Sequence, residues 1–468
     1  MFARGYFPGR SGQLFFVPHE GDFIVATDPL YAFMHGSPWS YDTDIPLLLF
    51  GETFVRQGRF DRPVAQQDVA PTLAAVLHTP PPSTSTGRAL TEALTGATVR
   101  PRIVALFVLD GMRREYLERY AADMPTLTRL QRGGAWFTNA QAISLPTATS
   151  IGHATLGTGT DPRVHGLVVN ELFNRVTGKP QESYQSLDPG ELMALTLGDV
   201  WNIETDGRAI IIAQGGAIRA TAGLVGHGSC LINGRKVLAA SYSTRDAGWE
   251  TNERCYAMAP ALAAISGKQY WTDVNGTWRG HNIDSPRAFR ASSVFQRFEG
   301  DAVMAVLSSQ AIGEDEITDL VFINIKSPDY VSHAYGPSSP ETKETLAELD
   351  RQLARIIELL EHKAGPSGLL LAITADHGMP GEPVPPRRRI EVTEVVRALD
   401  QQFAKGGKSI VHYFGDPANA QIHMNVARLD ELGVSLDTVA AFLRERFFTA
   451  VFTEQQVRQA SLQLPLGK

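Results

Sequence analysis

The chain has 468 residues, enough for one large α/β domain with an insertion or for two or three ordinary domains. Apolar residues make up 43% and charged residues 20%, an ordinary balance for a globular protein. The formal net charge of −7 argues against a face for nucleic-acid duplexes, which needs a basic surface, but leaves room for a small anion wherever a metal dominates the local field.

No apolar run reaches the length of a membrane span, and Met1 to Arg10 lacks the apolar core of a signal peptide. Cys230 and Cys255 are the only cysteines; one bridge would suit an exported protein, but two such separated residues are more often free thiols. A thiolate zinc site is therefore excluded, and any metal must be held by His and carboxylates.

In chain order, Pro80 to Gly87 reads as a loop and 91–101 as a connector. Arg102 to Leu109 is a near-continuous β-branched and apolar run, the pattern of a strand covered on both faces, and it ends in Asp110-Gly111-Met112. Pro146 to Asn170 is rich in small hydroxyl residues and glycine, which lets backbone N–H groups approach an oxyanion. The stretch 171–315 has weak periodicity and contains Trp201, Trp249, Trp271 and Trp278; it reads as a cap, apart from a buried strand at Ala209 to Ile212. A third strand, Leu320 to Ile325, leads into Lys326-Ser327-Pro328-Asp329 and on to His333. Ser338-Ser339-Pro340 opens a helix to about His362, with Leu346, Leu349, Leu353, Ile356, Ile357 and Leu360 on one face. A last strand, Leu369 to Thr374, runs into Ala375-Asp376-His377-Gly378.

Strands alternating with helices predict a largely parallel α/β sheet, whose site lies beyond the carboxyl ends of the strands. Three strand ends carry Asp110, Asp329 with His333, and Asp376 with His377. The i, i+4 spacing of Asp329 and His333 puts both on one side of a helical turn. One more His would complete two metal sites, each with an open coordination position.

These motifs, in this order, resemble the alkaline phosphatase superfamily, in particular its threonine-nucleophile branch of nucleotide pyrophosphatase/phosphodiesterases and phosphate-irrepressible alkaline phosphatases. The resemblance rests on Asp110-Gly111-Met112, Thr149 ahead of His153, the Thr158 to Gly166 stretch, Asp329 with His333, and Asp376-His377-Gly378. Asn170 falls where the family places an oxyanion-binding asparagine. Sulfatases, a sister branch, need a Cys or Ser nucleophile in a motif that Thr149-Ser150-Ile151-Gly152-His153 does not match. The resemblance implies a three-layer sandwich with an inserted cap and a phosphate-ester hydrolase.

The family's last zinc ligand is a His near the C-terminus. Here the matching stretch is Met34-His35-Gly36-Ser37-Pro38 and onward to Gly51, near the start. Circular permutation accounts for this if family termini lie close together; a fragment of a tandem array is the rival. The expected organisation is 1–95 as the family's C-terminal segment placed first, 96–170 as core with the nucleophile, 171–315 as cap, and 316–468 as core with metal ligands.

By resemblance, Asp110, Thr149, Asp376 and His377 hold one Zn2+, and Asp329, His333 and His35 hold the other; Mn2+ or Fe2+ suit similar ligands. The implied chemistry is attack by Thr149 on phosphorus, a phosphoryl-threonine, and its hydrolysis. His153, His165 and His227 read as structural.

Monoesterase relatives carry a Lys-x-Arg pair after the strand placed at 209–212, where this chain has Ala213-Gln214-Gly215. Both cations are missing unless Arg219 or one of Arg387, Arg388 and Arg389 reaches in, so the expectation leans to phosphodiesters or nucleotide pyrophosphates. The alternatives are an alkaline phosphomonoesterase or phosphonate-cleaving enzyme, or an inactive binding protein on the same fold. Relatives are usually periplasmic or secreted.

Overall fold

A computed structural model describes residues 1–26, 28–231, 237–382 and 388–464. The strand-like runs of the sequence lie at the centre of one large sheet. In chain order its strands are β1 (Leu47–Phe50), β2 (Gly58–Phe60), β3 (Ile103–Leu109), β4 (Ala135–Phe137), β5 (Ile211–Gly215), β6 (Leu238–Tyr242), β7 (Trp249–Glu250), β8 (Asp319–Ile325) and β9 (Leu369–Thr374). Across the sheet they run β7-β6-β5-β8-β3-β9-β1-β4-β2. The pairs from β6 through β5, β8 and β3 to β9 are all parallel, whereas β1 is antiparallel to β9 and β4. Every residue of β3, β8 and β9 is buried, which is why these strands read as unbroken apolar runs rather than alternating ones. The chain is a mixed α/β protein with a mostly parallel central sheet.

The helices that flank this sheet and frame its site are α1 (Thr149–Thr158), α2 (Ile218–Val225), α3 (Ser293–Ser309), α4 (Ser327–Tyr335) and α5 (Pro340–Ala364). In α5, Ser339 caps the start by accepting from the Thr342 N–H, Pro340 occupies the first turn, and Gly365 ends the helix. Its six predicted face residues, Leu346 through Leu360, are fully buried in the main core. Helix α5 packs against α3, and α1 against α2.

The stretch 171–315 contributes β5, β6 and β7 to the central sheet, and Trp201 joins the main core with its indole N–H donating to the Thr318 carbonyl. Trp271, Trp278, Phe289, Phe295 and Phe298 build a separate aromatic core. A second sheet orders Val411–Tyr413, Gln421–Met424, Leu14–Pro18 and Phe448–Thr453, so a strand from the first twenty residues lies between two from the last sixty. Phe15, Phe16, Ile422 and Val451 share its core.

The expectation of free thiols is corrected: Cys230 and Cys255 form a disulfide with a Cα–Cα distance of 4.6 Å. The Cys255 carbonyl accepts from both the N–H and the hydroxyl of Ser229, which pins the two segments side by side. That apposition is tertiary and leaves no trace in spacing.

Candidate active site

Three adjacent parallel strands end together, as open α/β sheets require of a binding site. Asp110 follows β3, Lys326 and helix α4 follow β8, and Asp376-His377 follow β9. Helix α1 begins at Thr149, which puts the hydroxyl at the positive end of a ten-residue helix. The helix comes this close to Asp376 because residue 152 is glycine: a Cβ there would lie 2.6 Å from the Asp376 Cβ.

The predicted ligands gather into two groups. In one, His377 Nε2 lies 3.1 Å from Asp376 Oδ2, 3.6 Å from Asp110 Oδ1 and 3.4 Å from Thr149 Oγ. In the other, Asp329 Oδ1 lies 3.3 Å from His333 Nε2 and 3.7 Å from His35 Nε2. His35, Asp329 and His333 are close enough together to hold one ion, as are Asp110, Asp329 and His377. All seven residues are buried. His35 thus reaches the site of its own chain from the N-terminal segment.

Ring orientation suits metal binding. Each imidazole donates its Nδ1–H to a backbone carbonyl: His35 to Thr147 at 2.6 Å, His333 to Phe33 at 2.6 Å, and His377 to Gly378 at 2.9 Å. This fixes the ring orientation and turns Nε2 toward the carboxylates, with its lone pair available to a metal when the ring is neutral. His153 differs. Its Nδ1 donates to the Thr149 carbonyl at 2.9 Å and its Nε2 accepts from Asn324 at 2.9 Å, so both nitrogens are spent within the protein. Asn324, which the sequence reading passed over, also donates to Asp110 Oδ2. His165 contacts Thr155 Oγ1, and His227 contacts Asp199 Oδ2, both within the protein scaffold.

Two carboxylate oxygens, Asp329 Oδ1 and Asp376 Oδ2, are buried with no well-aligned hydrogen bond among the described residues, only imidazole contacts such as those from His333 and His377. One faces each group of imidazoles. Such an orphan costs roughly 1–3 kcal/mol, more when charged, unless a cation completes it. The hard oxygens and imidazole nitrogens present are those Zn2+ accepts.

Electrostatics agree with a shortage of positive charge. Burial and the neighbouring Asp376 push the Asp110 carboxyl well above its usual range. Burial opposes ionisation of Asp329 as well, but His333 and Lys326 outweigh it and hold that carboxyl well down. For His377, burial is outweighed by Asp376, which lifts the imidazole to about 9. A divalent cation would supply the charge these groups now take from protons.

Lys326 is the main residue that the sequence reading missed. Its ammonium is completely buried, 2.6 Å from Asp110 Oδ1, 2.6 Å from Asp329 Oδ2 and 2.9 Å from Thr149 Oγ. Its position, immediately after a buried strand and three residues before Asp329, was the available signal.

Asn170 offers its Oδ1 to the Ser150 N–H at 3.0 Å, which turns the amide toward the nucleophile's helix. A cavity of about 340 Å³ opens over the second group, lined by Tyr31, His35, Asn170, Arg219, His333 and Asp416 among others. Arg219 therefore does reach the site, braced by Glu182 at 2.9 Å. Arg388 and Arg389 pair with Glu394 and Glu382 instead, and Arg387 lies outside the described residues.

A profile of the type I phosphodiesterase / nucleotide pyrophosphatase family matches residues 104–460. The chain belongs to this family. The matched stretch includes Asp110, Thr149, Asn170, Asp329, His333, Asp376 and His377, while His35 precedes it. Among relatives of this phosphodiesterase-family chain, the alkaline phosphatase PafA of Elizabethkingia meningoseptica is 27% identical, the match covering 61% of this chain and 61% of that protein. Human ectonucleotide pyrophosphatase/phosphodiesterase family member 1 is 22% identical over 58% of this chain and 23% of its own length. The chain spans about three-fifths of the alkaline phosphatases it matches. The crystal structure of PafA superposes with a TM-score of 0.62 at 21% identity, covering 75% of this chain and 77% of that one, which shows a shared fold.

Proposed function

We propose that this family member hydrolyses phosphate esters, with Thr149 as nucleophile at a site for two divalent cations, Zn2+ being the best match to the donors. The carrying observation is the pair of orphaned oxygens, Asp329 Oδ1 and Asp376 Oδ2, each beside a histidine Nε2 whose other nitrogen is fixed, with Thr149 Oγ at the edge of one group. Asp110, Thr149, Asp376 and His377 would hold one cation, and Asp329, His333 and His35 the other. Bound there, the cations would supply Lewis-acid charge that makes the threonine hydroxyl easier to deprotonate and the leaving oxygen easier to expel.

The remaining steps fall to the chain's own groups. Thr149 Oγ, its proton released to solvent water, attacks phosphorus; its bond to phosphorus forms as the leaving oxygen departs with the electron pair and takes a proton from water. Water then cleaves the phosphoryl-threonine, returning Thr149 and releasing phosphate or a phosphate monoester. The Asn170 amide and the start of helix α1 bind a non-bridging oxygen. The family description and the absent Lys-x-Arg pair support diesters or nucleotide pyrophosphates as substrates. Arg219 on the cavity wall and Lys326 at Thr149 favour a second reading, phosphate monoesters.

His35 supports a permuted order of family segments, since the N-terminal segment serves its own chain. The disulfide suits an oxidising compartment. Among the described residues, no helix is long and apolar enough to cross a membrane.

The test is hydrolysis of p-nitrophenyl phosphate and bis-p-nitrophenyl phosphate by zinc-loaded protein and by Thr149→Ala. Full activity in the variant against both esters would end the nucleophile assignment.

A further inference from the structure

We propose that Lys326 is a catalytic residue whose ammonium holds the phosphoryl group against Thr149 and selects a dianionic phosphate monoester over a diester. This rests on the hydrolytic reading above and takes its second, monoester form over its diester form.

Burying an ammonium is costly, and among the described residues Lys326 is the one lysine or arginine with no exposed surface. The fold provides a slot for this one. Glu299 accepts from the Lys326 backbone N–H at 2.9 Å, and the Tyr330 ring centroid lies 5.3 Å from Nζ. The stem passes beside Gly216, where a Cβ would fall 2.5 Å from the Lys326 Cβ and 2.6 Å from Glu299 Oε1. Gly216 follows β5 directly, so the strand end that lacks the Lys-x-Arg pair is the one that clears space for a cation from β8.

A counter-ion for carboxylates is the plainer account of a buried lysine. Two observations go beyond it. The third contact of Nζ is Thr149 Oγ at 2.9 Å, a neutral hydroxyl that needs no counter-ion. Among the described ligand carboxylates, Asp329 Oδ1 and Asp376 Oδ2 are the oxygens without a well-aligned hydrogen bond, whereas Lys326 holds Asp329 by Oδ2. The lysine therefore stands between the two ligand groups and leaves the orphaned oxygens free for cations.

A phosphorus atom joined to Thr149 Oγ carries non-bridging oxygens within reach of an ammonium already touching Oγ. A monoester presents one more negative charge there than a diester, so the fixed cation stabilises it more. Hydrogen bonds to charged groups contribute enough for a preference of about 10- to 100-fold.

The experiment compares metal-loaded wild type, Lys326→Met and Gly216→Ala. The readouts are the ratio of kcat/KM for p-nitrophenyl phosphate over bis-p-nitrophenyl phosphate, competitive inhibition by inorganic phosphate, and metal content by atomic emission. Lys326→Met is expected to keep its metals, lower the monoester-to-diester ratio about 10- to 100-fold, and weaken inhibition by phosphate in parallel. Gly216→Ala, which shifts the stem but keeps the charge, should move the ratio the same way by less. If Lys326→Met does not fold, the Gly216→Ala ratio decides alone. An unchanged ratio with metals retained, or loss of metals together with equal loss on both esters, overturns the assignment. Full activity of Thr149→Ala would instead remove the hydrolytic reading beneath it.

Discussion

His35→Ala tests whether the N-terminal segment completes the second group of ligands. His35 Nε2 lies 3.7 Å from Asp329 Oδ1, and its ring centroid is 5.0 Å from that of His333. Without it, only Asp329 and His333 remain on that side. Four-ligand zinc sites in small peptides bind with about 10–16 kcal/mol, or about 3 kcal/mol per ligand, so loss of one should weaken one cation about 100-fold. The first group, anchored by Asp376 and His377, should keep its affinity within a few-fold, because His35 meets it by stacking on His377 rather than by supplying a ligand. Zinc titration against a chromophoric chelator separates the two equivalents, and circular dichroism checks the fold. Two equivalents of unchanged affinity in a folded His35→Ala protein would refute the assignment of His35 as a ligand.

Other expectations follow from particular contacts. Gly152→Ala would push a methyl to within 2.6 Å of the Asp376 Cβ; overpacking of this kind costs about 1–3 kcal/mol, and a thermal melt with metal content should show lowered stability and a loosened first site. Reducing the Cys230–Cys255 bridge frees a loop of sequence separation 25, worth about 3 kcal/mol of chain entropy, read as a lower urea midpoint with dithiothreitol. Glu299 is buried beneath α4, and burial lifts its carboxyl to about 7 despite hydrogen bonds from Ser327 and Lys326. A carboxyl raised in the folded state binds more protons there, so its contribution falls as pH rises from its unfolded value near 4.5 to about 7, by on the order of 3 kcal/mol. Glu299→Gln should flatten that part of the stability–pH curve; a wild-type slope retained in the variant would count against it.

The elements around the site were legible because their patterns are local. Buried parallel strands read as unbroken apolar runs, and Ile103–Leu109, Asp319–Ile325 and Leu369–Thr374 fall within a residue or so of the anticipated bounds. The chemistry at their ends was legible too, since a strand's carboxyl end is set by the chain alone and its next residues must face the site. By the same logic Asp329 and His333 share a helical turn.

What tertiary structure decided is which distant groups meet. Leu14–Pro18 pairs with Gln421–Met424 and Phe448–Thr453, a register that no periodicity announces. The disulfide depends on two loops lying 4.6 Å apart at their Cα atoms. Arg219 lines the cavity while Arg388 and Arg389 do not, although all three look alike in sequence. Lys326 is the sharpest case. Its charge is written in the sequence, but electrostatic interaction falls with distance and grows with burial, and both are set by the slot beside Gly216. Sequence thus determined the residues available for chemistry and the strands that present them; only the packed fold determined which of those charges stand within reach of Thr149.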